Sequence, residues 1–215
     1  MTRPPYTRYR LTFEKKDDMR FIGHLDTLAL FERCITLAKL PICLSQGYSA
    51  RMQLAFALPL GLGQASTAEV LDIDLTQNTD PQHILTSLNN HLPIGISILT
   101  ATQLAQGAKT APRLVTAATY HIGPIPEGYI KTMDQSLATF LNNTEVNVSK
   151  KTKKGEKLTN IRPLVLDASI QGNTLVATLA TGEQNLKPQL LVSHLMKYEN
   201  QDQDDLTYIR TSIHL

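Results

Sequence analysis

Cysteine is scarce in this chain, no apolar run is long, and charge of neither sign prevails; each shortage removes a class of protein. The two cysteines, Cys34 and Cys43, have no CxxC spacing, so they support neither a disulfide framework nor a zinc or iron–sulfur site. They read as reduced core residues, which points to the cytoplasm. The formal net charge of +2 is too small to announce a nucleic-acid binder. No apolar stretch approaches the roughly 20 residues of a membrane span. Met1 is followed by Thr2, Arg3, Pro4 and Pro5 rather than by a secretory apolar segment. The expectation is a soluble, cytoplasmic chain with no membrane contact. His83, His91, His121, His194 and His214 show neither HxH nor HExxH spacing, so no metal site is expected. Gly61-Leu62-Gly63 lacks the Lys-Ser/Thr of a P-loop.

What is present suits a folded α/β protein. A hydrophobic share of 42% and a charged share of 19% are those of a globular chain, and 215 residues accommodate two domains of about 100 each. Tyr6 to Glu14 alternates as a strand with Tyr9, Leu11 and Phe13 on one face, and Lys15 to Asp18 reads as a charged turn. A helix is expected from about His24 to Leu40, with Leu25, Leu28, Phe31, Ile35 and Ala38 as its buried stripe and Pro41 ending it. Strands follow at Met52–Leu58 and Val70–Leu75. Thr79-Asp80-Pro81 then starts a second helix that Pro93 stops, and Ile94–Leu99 is a fourth strand. The order is β-α-β-β-α-β, that of ferredoxin-like folds, with both helices on one face of an antiparallel sheet and the other face left free. Gln103 to Pro112 lacks periodicity and reads as a boundary between domains 1–104 and 112–215. The second half repeats the order with one surplus hairpin strand. Two tandem ferredoxin-like domains, α+β in class, is the expected architecture.

Three stretches carry chemistry. Arg20-Phe21-Ile22-Gly23-His24-Leu25-Asp26 places an arginine, a histidine and an aspartate at a helix entrance, where free N–H groups and the dipole favour an anion. Capping by Asp26 and surface pairing of Asp26 with Arg33 is the plainer explanation. Ser45-Gln46-Gly47-Tyr48, followed by Arg51, is a polar loop in which Gly47 permits close approach and Tyr48 can stack. For such a loop taken alone, a merely solvated connection before a strand is the plainer explanation, and its place after the first helix of the unit shifts the balance only a little toward a site. Lys150, Lys151, Lys153, Lys154 and Lys157, with Arg162 just beyond, form a cationic turn suited to phosphate contact. Such runs also serve as solvated tips or blunted sheet edges. No serine or cysteine has a fixed relationship to His24, so no triad is expected.

Taken together, Tyr9-Arg10-Leu11-Thr12-Phe13-Glu14-Lys15, the Arg20–Asp26 run, Phe31-Glu32-Arg33, Leu40-Pro41, Ser45-Gln46-Gly47-Tyr48, Phe56-Ala57-Leu58-Pro59-Leu60-Gly61 and Leu71-Asp72-Ile73-Asp74-Leu75 resemble a bacterial family of unknown function, the radical-SAM-linked (radical-SAM-associated) proteins. The similarity is dense over residues 6 to 103 and returns at Leu186-Lys187-Pro188 and Ile209-Arg210-Thr211. Members of that family stand alone or are fused behind a cobalamin-binding radical-SAM protein, often encoded near ribonuclease E/G and ribosomal proteins. This chain departs from the pattern where Ser49-Ala50-Arg51-Met52 replaces a sequence resembling Asn-Pro-His-Pro, and where Gly23 stands for a usual serine. Either a contact is weakened there or Arg51 has taken it over.

The resemblance implies an accessory protein that binds RNA, or presents a substrate, to a radical-SAM partner. Lacking CxxxCxxC, the chain would bind no cofactor, and the partner would carry the 4Fe-4S cluster, S-adenosylmethionine and cobalamin. Arg20, His24, Asp26, Arg33, Ser45, Gln46, Gly47 and Arg51 would form the recognition pocket. The rival expectations are an endoribonuclease or RNA-modifying enzyme built on tandem ferredoxin-like domains, with His24 as acid or base, and a pure protein-interaction module.

Overall fold

Strand alternation sets the first half of the molecule. In β1 (Thr7–Lys15), Tyr9, Leu11, Phe13 and Lys15 turn to one face and are buried there, while Arg8, Arg10, Thr12 and Glu14 turn to the other. The computed structural model describes residues 5–152, 155–182, 185–196 and 205–215. It is a mixed α+β fold with four α-helices among these residues, and the chain divides into two compact units, Met1–Val115 with Leu215, and Thr116–His214.

The first unit continues with α1 (His24–Leu37), β2 (Leu54–Phe56), β3 (Ala65–Leu75), α2 (Pro81–Asn89) and β4 (Ile96–Gln103). Its strands pair antiparallel in the order β4-β1-β3-β2. Tyr9, Leu11, Phe13, Leu71, Ile73 and Leu75 form one side of the core, and Phe31, Cys34 and Ile35 of α1 with Ile84 and Leu88 of α2 form the other, so both helices lie on one face. Asp80 caps α2 by accepting from the Gln82 amide at 3.2 Å, with Pro81 at its first position.

Two expectations are corrected here. The buried stripe of α1 runs through Thr27, Phe31, Cys34 and Ile35, which leaves Leu25 76% exposed. The face of the sheet expected to be open is crossed by the chain after β4. Arg8 binds Asp74 bidentately at 2.7 and 2.9 Å, and Arg10 binds Asp72 at 2.8 and 2.9 Å. The same groups reach the crossing segment: Arg8 donates to the Ala108 carbonyl at 2.7 Å, Arg10 to that of Lys109 at 3.2 Å, and Asp72 accepts from the Ala111 amide at 2.6 Å. Residues 104–113 therefore belong to the first unit as a strap over its sheet.

In the second unit β5 (Ala117–Gly123), α3 (Glu127–Asn142), β8 (Val165–Gln171), β9 (Thr174–Ala180), α4 (Pro188–Met196) and β10 (Thr207–His214) follow one another, with β6 (Asn147–Thr152) and β7 (Gly155–Asn160) between α3 and β8. The sheet order is β10-β5-β9-β8, again antiparallel, and β6–β7 is a separate two-stranded sheet. The surplus strand of the sequence is thus half of an inserted hairpin. Its lysines are not all in a turn: the backbones of Lys150, Lys151 and Lys157 lie in the strands, Lys150 opposite Lys157, while Lys153 and Lys154 fall outside the described residues. Gly172, at φ 60°, and Asn173 make the two-residue turn from Gln171 to Thr174.

Candidate functional site

The entrance of α1 is held by its own residues. Gly23 is the N-cap; its amide donates to Asp26 Oδ2 at 3.3 Å, and its carbonyl accepts from Thr27 Oγ1 at 2.9 Å. Asp26 therefore satisfies a helix-end donor and sits in the favourable field of the dipole. His24 is half-buried with its ring edge-on to Phe56, centroids 5.3 Å apart. It lines a narrow pocket with Lys15, Thr27, Phe56 and Glu69. Arg20 lays its guanidinium over the Phe21 ring at 4.6 Å, and its Nε is buried without a hydrogen-bond partner among the described residues.

Lys15 and Glu69 were not expected in this pocket, yet the alternation contains them. Lys15 continues the buried Tyr9, Leu11, Phe13 series, and Glu69 precedes Leu71, Ile73 and Leu75 on the matching face of β3, opposite Phe13. The Lys15 ammonium donates to the Ile22 carbonyl at 2.7 Å. Burial pulls its pKa below that of an ordinary lysine, and the charges of Glu69 and Asp26 pull it partly back.

The second gathering lies farther along α1. The edge of β3 holds both stems of a loop: the Cys43 amide donates to the Asp74 carbonyl at 2.7 Å, and the Asp74 amide donates to that of Gln53 at 3.2 Å. Leu44 and Met52 face each other in an isolated bridge. The Ser45 amide donates to the Arg51 carbonyl at 2.7 Å, and the Arg51 amide donates to Ser45 Oγ at 2.9 Å. The loop between is closed at its base, with Gly47 at φ 124°, Gln46 exposed and Tyr48 fully in solvent.

Between that loop and α1 runs a groove of about 560 Å³, a volume in the range of ligand-binding clefts. Leu28, Leu44, Ala50 and Met52 give it apolar lining, Arg33 and Arg51 stand along it, and Glu32 and Thr36 complete it. Both arginines are exposed, and neither guanidinium makes a hydrogen bond or ion pair with a described residue. Two unpaired planar cations over an apolar floor can bind an anion whose remaining body is apolar or aromatic.

The structure thus sorts the candidate residues. Arg33 and Arg51 share the groove, with Ser45, Gln46 and Gly47 on the adjoining loop. His24 lines the other pocket, Asp26 caps α1, and Arg20 rests on Phe21. In the second unit Arg162 is engaged with backbone: Nε and Nη2 donate to the Leu141 carbonyl at 3.3 and 3.2 Å, and Nη1 to that of Val165 at 3.0 Å. Its charge satisfies a carbonyl at the end of α3. Among the described residues no three histidine, cysteine or acidic side chains gather as a metal site, and no helix is long and apolar enough to cross a membrane.

No curated protein matches the chain. Among solved structures it is similar to one described as an unknown protein from Galdieria sulphuraria, at 15% identity over 95% of this chain and 96% of that one, with a TM-score of 0.30. Likeness at that level assigns no role. The model of one family matches residues 8–188, most of the sequence, and the chain belongs to that family, described as an uncharacterized protein conserved in bacteria (DUF2344).

Proposed function

We propose that the protein is an accessory RNA-binding protein that presents its bound strand to a cobalamin-binding radical-SAM partner. One observation carries the reading: Arg33 and Arg51 flank a single groove with both guanidiniums unpaired among the described residues. Phosphate suits this arrangement, because each planar guanidinium can bind phosphate oxygens bidentately. Lys150, Lys151, Lys153, Lys154 and Lys157 would add phosphate contacts from the second unit. Any iron–sulfur, S-adenosylmethionine or cobalamin chemistry would belong to the partner. Both cysteines are buried free thiols, which suits a reducing cytoplasm. We also read each unit as a ferredoxin-like domain, on the strand orders β4-β1-β3-β2 and β10-β5-β9-β8, the second enlarged by the β6–β7 hairpin.

Fluorescence anisotropy with labelled total-RNA fragments tests this. Binding should be present at low salt and weaken steeply as salt rises. Binding that is absent at low salt, or indifferent to salt, would rule RNA out. The partner is tested separately: the tagged chain should retain a cobalamin-binding radical-SAM protein in nuclease-treated extract, and loss on nuclease treatment would mean that RNA merely bridges them. RNA cleavage is a second reading, favoured by the pocket that gathers His24, Lys15 and Glu69. Cleavage retained in a His24→Ala variant would remove that histidine from it.

A further inference from the structure

The loop that carries Arg51 has a second property that bears on what the groove accepts. Tyr48 stands fully exposed on it, at 112% relative exposure, and shields no core residue. An aromatic ring left wholly in water gains nothing for the fold; its apolar faces remain available to a flat partner. The loop is pinned at its base by the two Ser45–Arg51 hydrogen bonds, at 2.7 and 2.9 Å, so Tyr48 is presented near its apex. Tyr48 and Arg51 are three positions apart, a reach of about 10 Å at most. Gly47, at φ 124°, has no atom within 4 Å of where a Cβ would stand, so the space before Tyr48 is open.

A cation unpaired among the described residues and an unburied aromatic ring on one short loop are the pair of contacts that single strands use. The cation holds the phosphodiester, and the ring stacks on a base. A duplex offers the phosphates alone, because its bases are already stacked on one another and its grooves hide their faces. The open sheet face familiar from RNA-binding β-sheets is not available for this task in the first unit. Arg8 and Arg10 there are tied to Asp74 and Asp72 under the strap.

We infer that the Arg33–Arg51 groove selects single-stranded RNA over duplex, with Tyr48 stacking on an unpaired base beside the phosphates the arginines hold. This rests on the RNA reading of the groove and adds its substrate class.

The test uses the full chain and two fluorescein-labelled probes, an oligoadenylate of about 12 nucleotides and a blunt RNA duplex of the same length. The oligoadenylate should bind at least tenfold tighter. Tyr48→Ala should weaken oligoadenylate binding about fivefold to hundredfold, the range expected for one stacked base, and leave duplex binding unchanged. Tyr48→Phe, which keeps the ring, should restore affinity to within about twofold. Because the side chain lies in solvent, thermal unfolding of both variants should match wild type. Equal affinity for both probes, or a Tyr48→Ala variant that binds oligoadenylate like wild type while Arg33→Gln weakens it, would overturn single-strand selection and leave RNA binding standing. Failure of wild type to bind either probe at low salt would overturn the RNA reading and this inference with it.

Discussion

Lys15 occupies a position where the alternation of β1 asks for an apolar side chain, and it stays because its ammonium has the Ile22 carbonyl at 2.7 Å and the charge of Glu69 nearby. Burial lowers its pKa, whereas in the unfolded chain a lysine titrates near about 10.4. Between those two values the unfolded chain binds more protons than the folded one. This site therefore makes stability rise with pH through that window. Urea unfolding from about pH 7 to about pH 10 should give a steeper rise for wild type than for Lys15→Met. Parallel curves would mean that the amine is not desolvated. Asp26 is a different case, exposed and bonded to the Gly23 amide at 3.3 Å. Asp26→Ala should cost about 0.5–1 kcal/mol of stability, read by urea unfolding, and leave RNA affinity unchanged. A large loss of affinity would return Asp26 to the binding site.

At the scale of elements, the Arg–Asp ladder joins β1 to β3 and both to the strap. Asp72 accepts from Arg10 and from the Ala111 amide, and its side chain is 1% exposed. Asp72→Ala would strand a guanidinium and an amide together, at about 3–5 kcal/mol in urea unfolding. Amide exchange at Ala111 should speed up before the strands open. Unchanged exchange would show that the strap is held by something else.

That strap also marks where sequence reading stopped. Tyr9, Leu11 and Phe13, or Ile84 and Leu88, announce their elements through local periodicity. Residues 104–113 are fixed by partners 39 to 100 positions away, a relation no local pattern encodes. Likewise β2 was expected over Met52–Leu58 and shrinks to Leu54–Phe56, because the edge of β3 is shared with Cys43 and Gln53 through Asp74. Arg51 and Arg33 were legible as separate candidates; that they share a groove depends on how that edge folds the loop back along α1.

At the scale of the whole molecule, two units with matching strand order surround different chemistry. The first carries the arginine groove, and the second carries an inserted hairpin rich in lysine. Since the net charge is only +2, the proposed RNA binding would have to draw on local cations rather than the overall field. The deciding measurement is the salt dependence of RNA affinity in the doubly neutralised Arg33→Gln, Arg51→Gln protein beside wild type. Removing two phosphate contacts from a single strand should reduce the slope of log affinity against log salt by about 1.4, with urea unfolding unaltered. A variant whose slope and affinity equal those of wild type would show that the groove does not hold RNA.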